Sequence, residues 1–241
     1  MKISHKDQQR ILEQVKSKVL VAFRDIQFWP HDIDHVRNVA LYGKEIAERE
    51  AKQLAPKMNL NPEEFVFLVE VACWFHDLGR SVETEKIRQD KNWNHALNSV
   101  ELAKKIYDNP IVLQAVSEHN QAKVKHSENL ITKVLQDADR GEGFGFRGMM
   151  VVFNYNNILT SSKLVSEKDC QQELLKQWPV LMQNSQSREK IIHWLTYLSM
   201  WYTGSQNVSP LFTQTSKKLY KQKFEITKKY LELAKKGKTH K

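Results

Sequence analysis

The chain of 241 residues reads as an all-α protein, a single helical bundle with additional helices toward its C-terminus. Three observations predict this. Apolar residues recur at helical steps through most of the chain. Helix-start signals precede these stripes, as in Asn61-Pro62-Glu63-Glu64, where a cap, a first-position proline and first-turn acids follow one another. The hydrophobic share of 41% supplies a core of useful size without a run long enough to cross a bilayer.

The elements follow in order. Ile3, Ile11, Leu12, Val15, Val19, Leu20 and Phe23 recur at near-helical spacing. Trp29-Pro30 interrupts, and Asp32 or Asp34 can cap the next helix. His35, Val39, Tyr42 and Ile46 then share one face. Phe65 to Arg80 (FVFLVEVACWFHDLGR) is apolar on nearly every side, which predicts a buried helix. Residues 81–92 read as a loop. His95, Ser99, Leu102 and Ile106 form the next stripe, and Asp108-Asn109-Pro110 separates it from Val112, Ala115, Val116 and His119. Ser127-Glu128 starts a helix that closes at Asp137-Ala138-Asp139-Arg140. Four of the eight glycines fall in 141–148, which predicts a tight turn or a close approach. MMVVF (149–153) fits helix or strand. Ser166 with Asp169 resembles a capping box, 188–203 is a helix rich in Trp and Tyr, and Ser209-Pro210 starts the last helix. The pattern gives eight or nine helices, with a core over 1–208 and a basic amphipathic helix over 209–241 packed on it.

Charge and cysteine usage narrow the function. Of the net charge of +9, residues 209–241 carry +8, so the body of the chain is near neutral and does not need nucleic acid as a partner. The lysine-rich end reads as the solvated face of a packed helix, and its sparse aromatics disfavour a stacking platform. Neither a signal pattern nor a membrane-spanning run is visible, and a cytoplasmic protein is expected. Cys73 and Cys170 are far apart and form no CxxC, so neither a disulfide framework nor a zinc finger is indicated.

The histidines carry the chemistry. Burying an imidazole beside a carboxylate at the end of an apolar run, as at His76-Asp77, costs free energy unless a cation or partner offsets it. His35, His76, His95 and His119 each end an apolar stripe, one per helix, and Asp139 closes another. Helices that converge with one polar residue at the same end build an inward-facing ligand cluster. His31, His126 and His193 lie in polar or mixed surroundings and are expected to be at the surface or partly buried.

His35 in DIDHVRNVA, His76-Asp77 in CWFHDLGR and Asp139 in LQDADR together resemble the H…HD…D signature of the HD-domain metal-dependent phosphohydrolases. The likeness is specific within 31–148, and LYKQKFEITKKYLEL near the C-terminus resembles a stand-alone bacterial subgroup. The resemblance implies a divalent cation, Mn²⁺, Fe²⁺, Co²⁺, Ni²⁺ or Mg²⁺, held by His35, His76, Asp77 and Asp139. It implies hydrolysis of a small phosphorylated substrate, a nucleotide, by a metal-activated water, with Asp77 also catalytic. Arg80 is a candidate phosphate contact. Arg140 is expected to be structural or paired with Asp137. His95 and His119 are expected near the phosphate or behind the ligands of a single metal. Glu83 or Glu85 could orient the attacking water. His119 is followed by Asn120, and no GYP motif appears, so the cyclic-dinucleotide phosphodiesterases fit poorly. The surroundings of the dyad also differ from the alarmone and deoxyguanosine triphosphate hydrolases. Two alternatives stay open: an HD-type di-iron oxygenase using six ligands, and a non-catalytic nucleic-acid-binding module using the lysine-rich end.

Overall fold

The computed structural model describes residues 3–26, 31–83, 93–121, 128–159 and 166–237. Among these, ten α-helices and two short 3-10 turns occur, with no strand. The chain divides into two compact units, Met1–Asp139 and Arg140–Lys241.

The first unit opens with α1 (His5–Ala22), capped by Ser4. α2 (Ile33–Leu54) is capped by Asp32, which accepts from the amides of Asp34 and His35. α3 (Pro62–Phe75) starts at Asn61, as its sequence predicts, and every residue from Phe67 to Phe75 is buried. A 3-10 turn, Leu78–Val82, follows, so the expected loop is already ordered in its first residues. α4 (His95–Lys104) and α5 (Pro110–Glu118) are each capped by an asparagine, Asn94 and Asn109. α6 (Leu130–Glu142) runs to the end of this unit and into the next. Asn129 accepts from the amide of Ile131 near its start, while Ser127 lies outside the described residues. α3 is the central element, packed by α1, α2 and α5.

The second unit continues with α7 (Gly145–Tyr155), α8 (Glu167–Gln183), α9 (Ser185–Thr203) and α10 (Gln214–Lys235). The ambiguous MMVVF is helical, which supplies the tenth helix. The glycine-rich stretch is less of a loop than its composition suggests: α6 ends at Glu142, and α7 begins at Gly145, whose φ is +81°. The last helix starts at Thr213 rather than at Ser209-Pro210, because the Thr213 hydroxyl accepts from the amide of Ser216. α10 packs on α9 and α7 around Phe144, Tyr220, Phe224 and Tyr230, and Tyr202 stacks on Phe224 at 4.0 Å between ring centroids. Arg140 is structural, donating to the Ser209 carbonyl at 2.8 Å. No helix among the described residues is long and apolar enough to cross a membrane.

Candidate metal centre

The residues singled out by their place on apolar stripes converge within the first unit. α2 and α3 run against each other at Gly43, where an added Cβ would lie 2.3 Å from the Cys73 sulfur. That close approach brings His35, eight residues before Gly43, to His76, three residues after Cys73. Their Nε2 atoms stand 3.2 Å apart. Asp139 Oδ1 lies 3.3 Å from His35 Nε2 and 3.9 Å from His76 Nε2. Asp77 Oδ2 is 3.7 Å from both of those nitrogens.

Asp77 also faces the other way. Its Oδ1 lies 3.4 Å from His95 Nε2 and 3.7 Å from His119 Nε2, and those two nitrogens are 3.3 Å apart. The contact that places α4 here is backbone-tight. The Gly79 amide donates to Ser99 Oγ at 2.7 Å, and a Cβ at Gly79 would sit 2.3 Å from the His95 carbonyl oxygen. Three overlapping groups could therefore hold a metal ion: His35, His76 and Asp139; Asp77, His95 and His119; and His31, His35 and Asp77.

Two of the imidazoles are set by the same local device. His76 and His119 are the C-caps of α3 and α5. Each Nδ1 lies 2.7 Å from the carbonyl oxygen three residues back, that of Cys73 and that of Val116. A carbonyl only accepts, so the proton is on Nδ1, and one of the orphaned carbonyls at each helix end is satisfied. Nε2 is then a bare lone pair aimed at the cluster, the orientation expected of a metal-ligating histidine.

The electrostatics favour the same protonation states. Burial holds His76, His31 and His95 neutral: His76 is pushed down to about 4 against the pull of Asp77 and Asp139. His31 also falls to about 4, by burial and the nearby Arg80 charge, and His95 to about 3, mainly by burial. Burial would raise the Asp77 carboxyl, but Arg80 and the surrounding imidazoles outweigh it and keep it well below the usual range. Asp139 is lowered in the same way, burial being outweighed by the hydrogen bond with His35 and the proximity of His76. Neutral imidazoles and ionised carboxylates converging within 3–4 Å of one another fit a divalent cation.

These shifts fix a pH dependence. Histidines in the unfolded chain titrate near 6.5. Above that pH both states hold them neutral. Below it the unfolded chain takes up protons that the folded chain refuses until about pH 4, so stability falls as pH drops. In metal-stripped protein the thermal midpoint is expected to decline between pH 6.5 and 4. A midpoint constant from pH 7 to 5 would contradict the neutral burial of His31, His76 and His95.

Sequence reasoning missed His31. The residue is partly buried, in line with its mixed surroundings, but nothing in the sequence places it at the site, where its Nδ1 is 3.0 Å from Asp77 Oδ2. Arg80 is not a surface residue either: its side chain is 11% exposed, with Nε 3.0 Å from Asp77 Oδ2 and a guanidinium nitrogen 3.0 Å from Glu83. Glu85 and His126 lie outside the described residues. His193 is exposed on α9.

Comparison with known proteins agrees with this reading. A family model described as HD domain matches residues 32–142. The crystal structure of a Lactobacillus plantarum protein matches over 98% of both chains with a TM-score of 0.52 at 14% identity, a likeness that speaks to the fold alone. None of the curated proteins matches the chain. Most members of the HD superfamily are metal-dependent phosphohydrolases. The matched segment contains His35, His76, Asp77, His95, His119 and Asp139, and over residues 32–142 the chain is similar to an HD domain.

Proposed function

We propose that the chain is a metal-dependent phosphohydrolase that cleaves a phosphate ester or anhydride of a small substrate, a nucleotide, and that its centre takes two divalent cations rather than one. The observation that carries this reading is Asp77, whose two carboxylate oxygens face separate pairs of histidines. A carboxylate so placed can bridge two ions, with His35, His76 and Asp139 completing one side and His95 and His119 the other. Bound divalent cations lower the pKa of coordinated water and polarise phosphoryl oxygen.

The chain's own residues prepare that chemistry. His76 and His119 present Nε2 lone pairs because their Nδ1 protons are committed to backbone carbonyls. Asp77 and Asp139 stay ionised and supply negative charge to a buried pocket. As a phosphate contact, Arg80 would have to share its guanidinium with Asp77 and Glu83, so we assign it the positioning of Asp77. His31 donates to the same Oδ2 from the other element and fixes the carboxylate plane. Cys73 and Cys170 are buried thiols outside any disulfide, which suits a reducing compartment, in keeping with a cytoplasmic enzyme.

Elemental analysis of the purified protein, together with release of phosphate or pyrophosphate from a panel of nucleoside mono-, di- and triphosphates in Mn²⁺, tests the proposal. Two metals per chain and turnover that stops in excess chelator are expected. Full turnover in chelator would overturn it. Arg80→Lys and His31→Gln are each expected to weaken metal affinity about 10- to 100-fold, the usual cost of losing a group that orients a ligand. Titration of the stripped protein with Mn²⁺ by calorimetry measures this.

The donor set also suits iron, and a di-iron oxygenase is the second reading, favoured by the five imidazoles that flank Asp77. It predicts two irons per chain and oxygen uptake that depends on substrate, with no phosphate released.

A further inference from the structure

A cleft of about 750 Å³ opens between α1, α2 and α3, on residues outside the metal centre. Its walls include Leu12, Ala51, Val66 and Phe67, an apolar surface of the kind that receives small molecules. Its charges do not follow those of the chain. Four carboxylates line it, Glu13, Glu48, Glu63 and Glu70, against two ammonium groups, Lys44 and Lys52. A net negative cleft in a protein of charge +9 concentrates cations locally.

Glu70 is committed to the fold, holding Lys16 of α1 at 3.3 Å and Lys44 of α2 at 3.6 Å. Glu13 is likewise 3.4 Å from Lys16. Glu48 and Glu63 form no ion pair with a described residue. Within the cleft stands Gln8. It lies on the inward stripe of α1 with Leu12, Val15 and Val19, a polar side chain where the pattern asks for an apolar one. The residue is 8% exposed, its amide lines the cleft, and it makes no side-chain hydrogen bond to a described residue. Its hydrogen-bonding capacity is therefore open to whatever occupies the cleft. The carbonyl oxygen accepts, and beside carboxylates the complementary donor is a cation.

We infer that this cleft is a binding site for a small amphipathic organic amine, its apolar body against Leu12, Val66 and Phe67 and its ammonium group shared between the Gln8 carbonyl oxygen and the free rim carboxylates. The amine is held by three requirements at once: apolar contact, a positive charge and a hydrogen-bond donor. An alcohol of the same shape satisfies two of them, and an acid one.

Calorimetric titration of the full chain with 2-phenylethylamine, 2-phenylethanol and 3-phenylpropionate tests this. Saturable one-to-one binding of the amine is expected, at least about tenfold tighter than the alcohol, the usual scale for a hydrogen bond to a charged group. Binding should weaken about tenfold in Gln8→Leu and in the double variant Glu48→Gln/Glu63→Gln, whose surface substitutions leave folding intact. It should vanish in Val66→Trp, which fills the cleft. Equal binding of alcohol or acid, binding that survives Val66→Trp, or no heat up to millimolar amine would overturn the assignment. Metal content is unchanged in every one of these variants if the cleft and the centre are separate sites.

Discussion

Asp77→Asn is expected to abolish turnover, by about 10³-fold or more, and to reduce bound metal from two ions per chain to at most one. The substitution keeps the shape of the side chain and removes its charge. The carboxyl is 2% exposed, so no water takes over the lost interactions. An amide also places an N–H₂ group toward one of two pairs of nitrogens, His35 with His76 or His95 with His119, where lone pairs already converge. Whichever way it turns, one side of the centre meets a donor where an acceptor is required. Arg80 and His31 lose the ionised oxygen they both approach at 3.0 Å. Metal analysis and turnover should fall together. Two ions retained with turnover intact would show that Asp77 does not bridge. A single ion retained with full turnover would restore the one-metal centre that the H…HD…D pattern by itself suggests.

Much of this site was legible before any coordinates, for one physical reason. A polar side chain at the end of an apolar helical stripe has to be buried, and burial without a partner is costly. That reasoning picks out His35, His76, His95, His119 and Asp139, and the fold brings each within 4 Å of another member of the group. The helices were legible through their caps: Asn61, Asn109 and Ser166 all act as their sequences predict. What stayed hidden depends on long-range contact. That Asp77 faces two histidine pairs follows from the packing of the Leu78–Val82 turn on α4, which no local pattern encodes. His31 sits in a polar stretch outside any stripe, so its approach to Asp77 left no periodic trace. The start of α10 was misplaced because Ser209-Pro210 and Thr213 both carry start chemistry, and only packing selects between them.

Gly79→Val tests the contact on which the second half of the centre rests. Gly79 lies two residues after Asp77, in the turn that packs on α4. An added Cβ would stand 2.3 Å from the His95 carbonyl oxygen, 2.7 Å from the Ser99 amide nitrogen and 2.9 Å from the Asn98 Cβ. The two closest atoms are backbone, so no rotamer change relieves the clash, and α4 has to move away from the turn. Overpacking of this kind costs about 3 kcal/mol, read as a shift of the urea midpoint at unchanged slope. The displacement carries His95 with it, because that residue begins α4 and its own carbonyl is the atom struck. Metal content should therefore fall from two ions toward one, with the ion beside His35, His76 and Asp139 retained. Ser99→Ala separates the two effects. It removes the hydroxyl that accepts from the Gly79 amide, at a cost of about 1 to 3 kcal/mol for the unsatisfied buried donor, but leaves the space between turn and helix unchanged. Two ions in Ser99→Ala and one in Gly79→Val is the expected pair of results. Equal metal content in both variants would mean that the close approach of turn and helix stabilises the bundle without positioning the second pair of histidines.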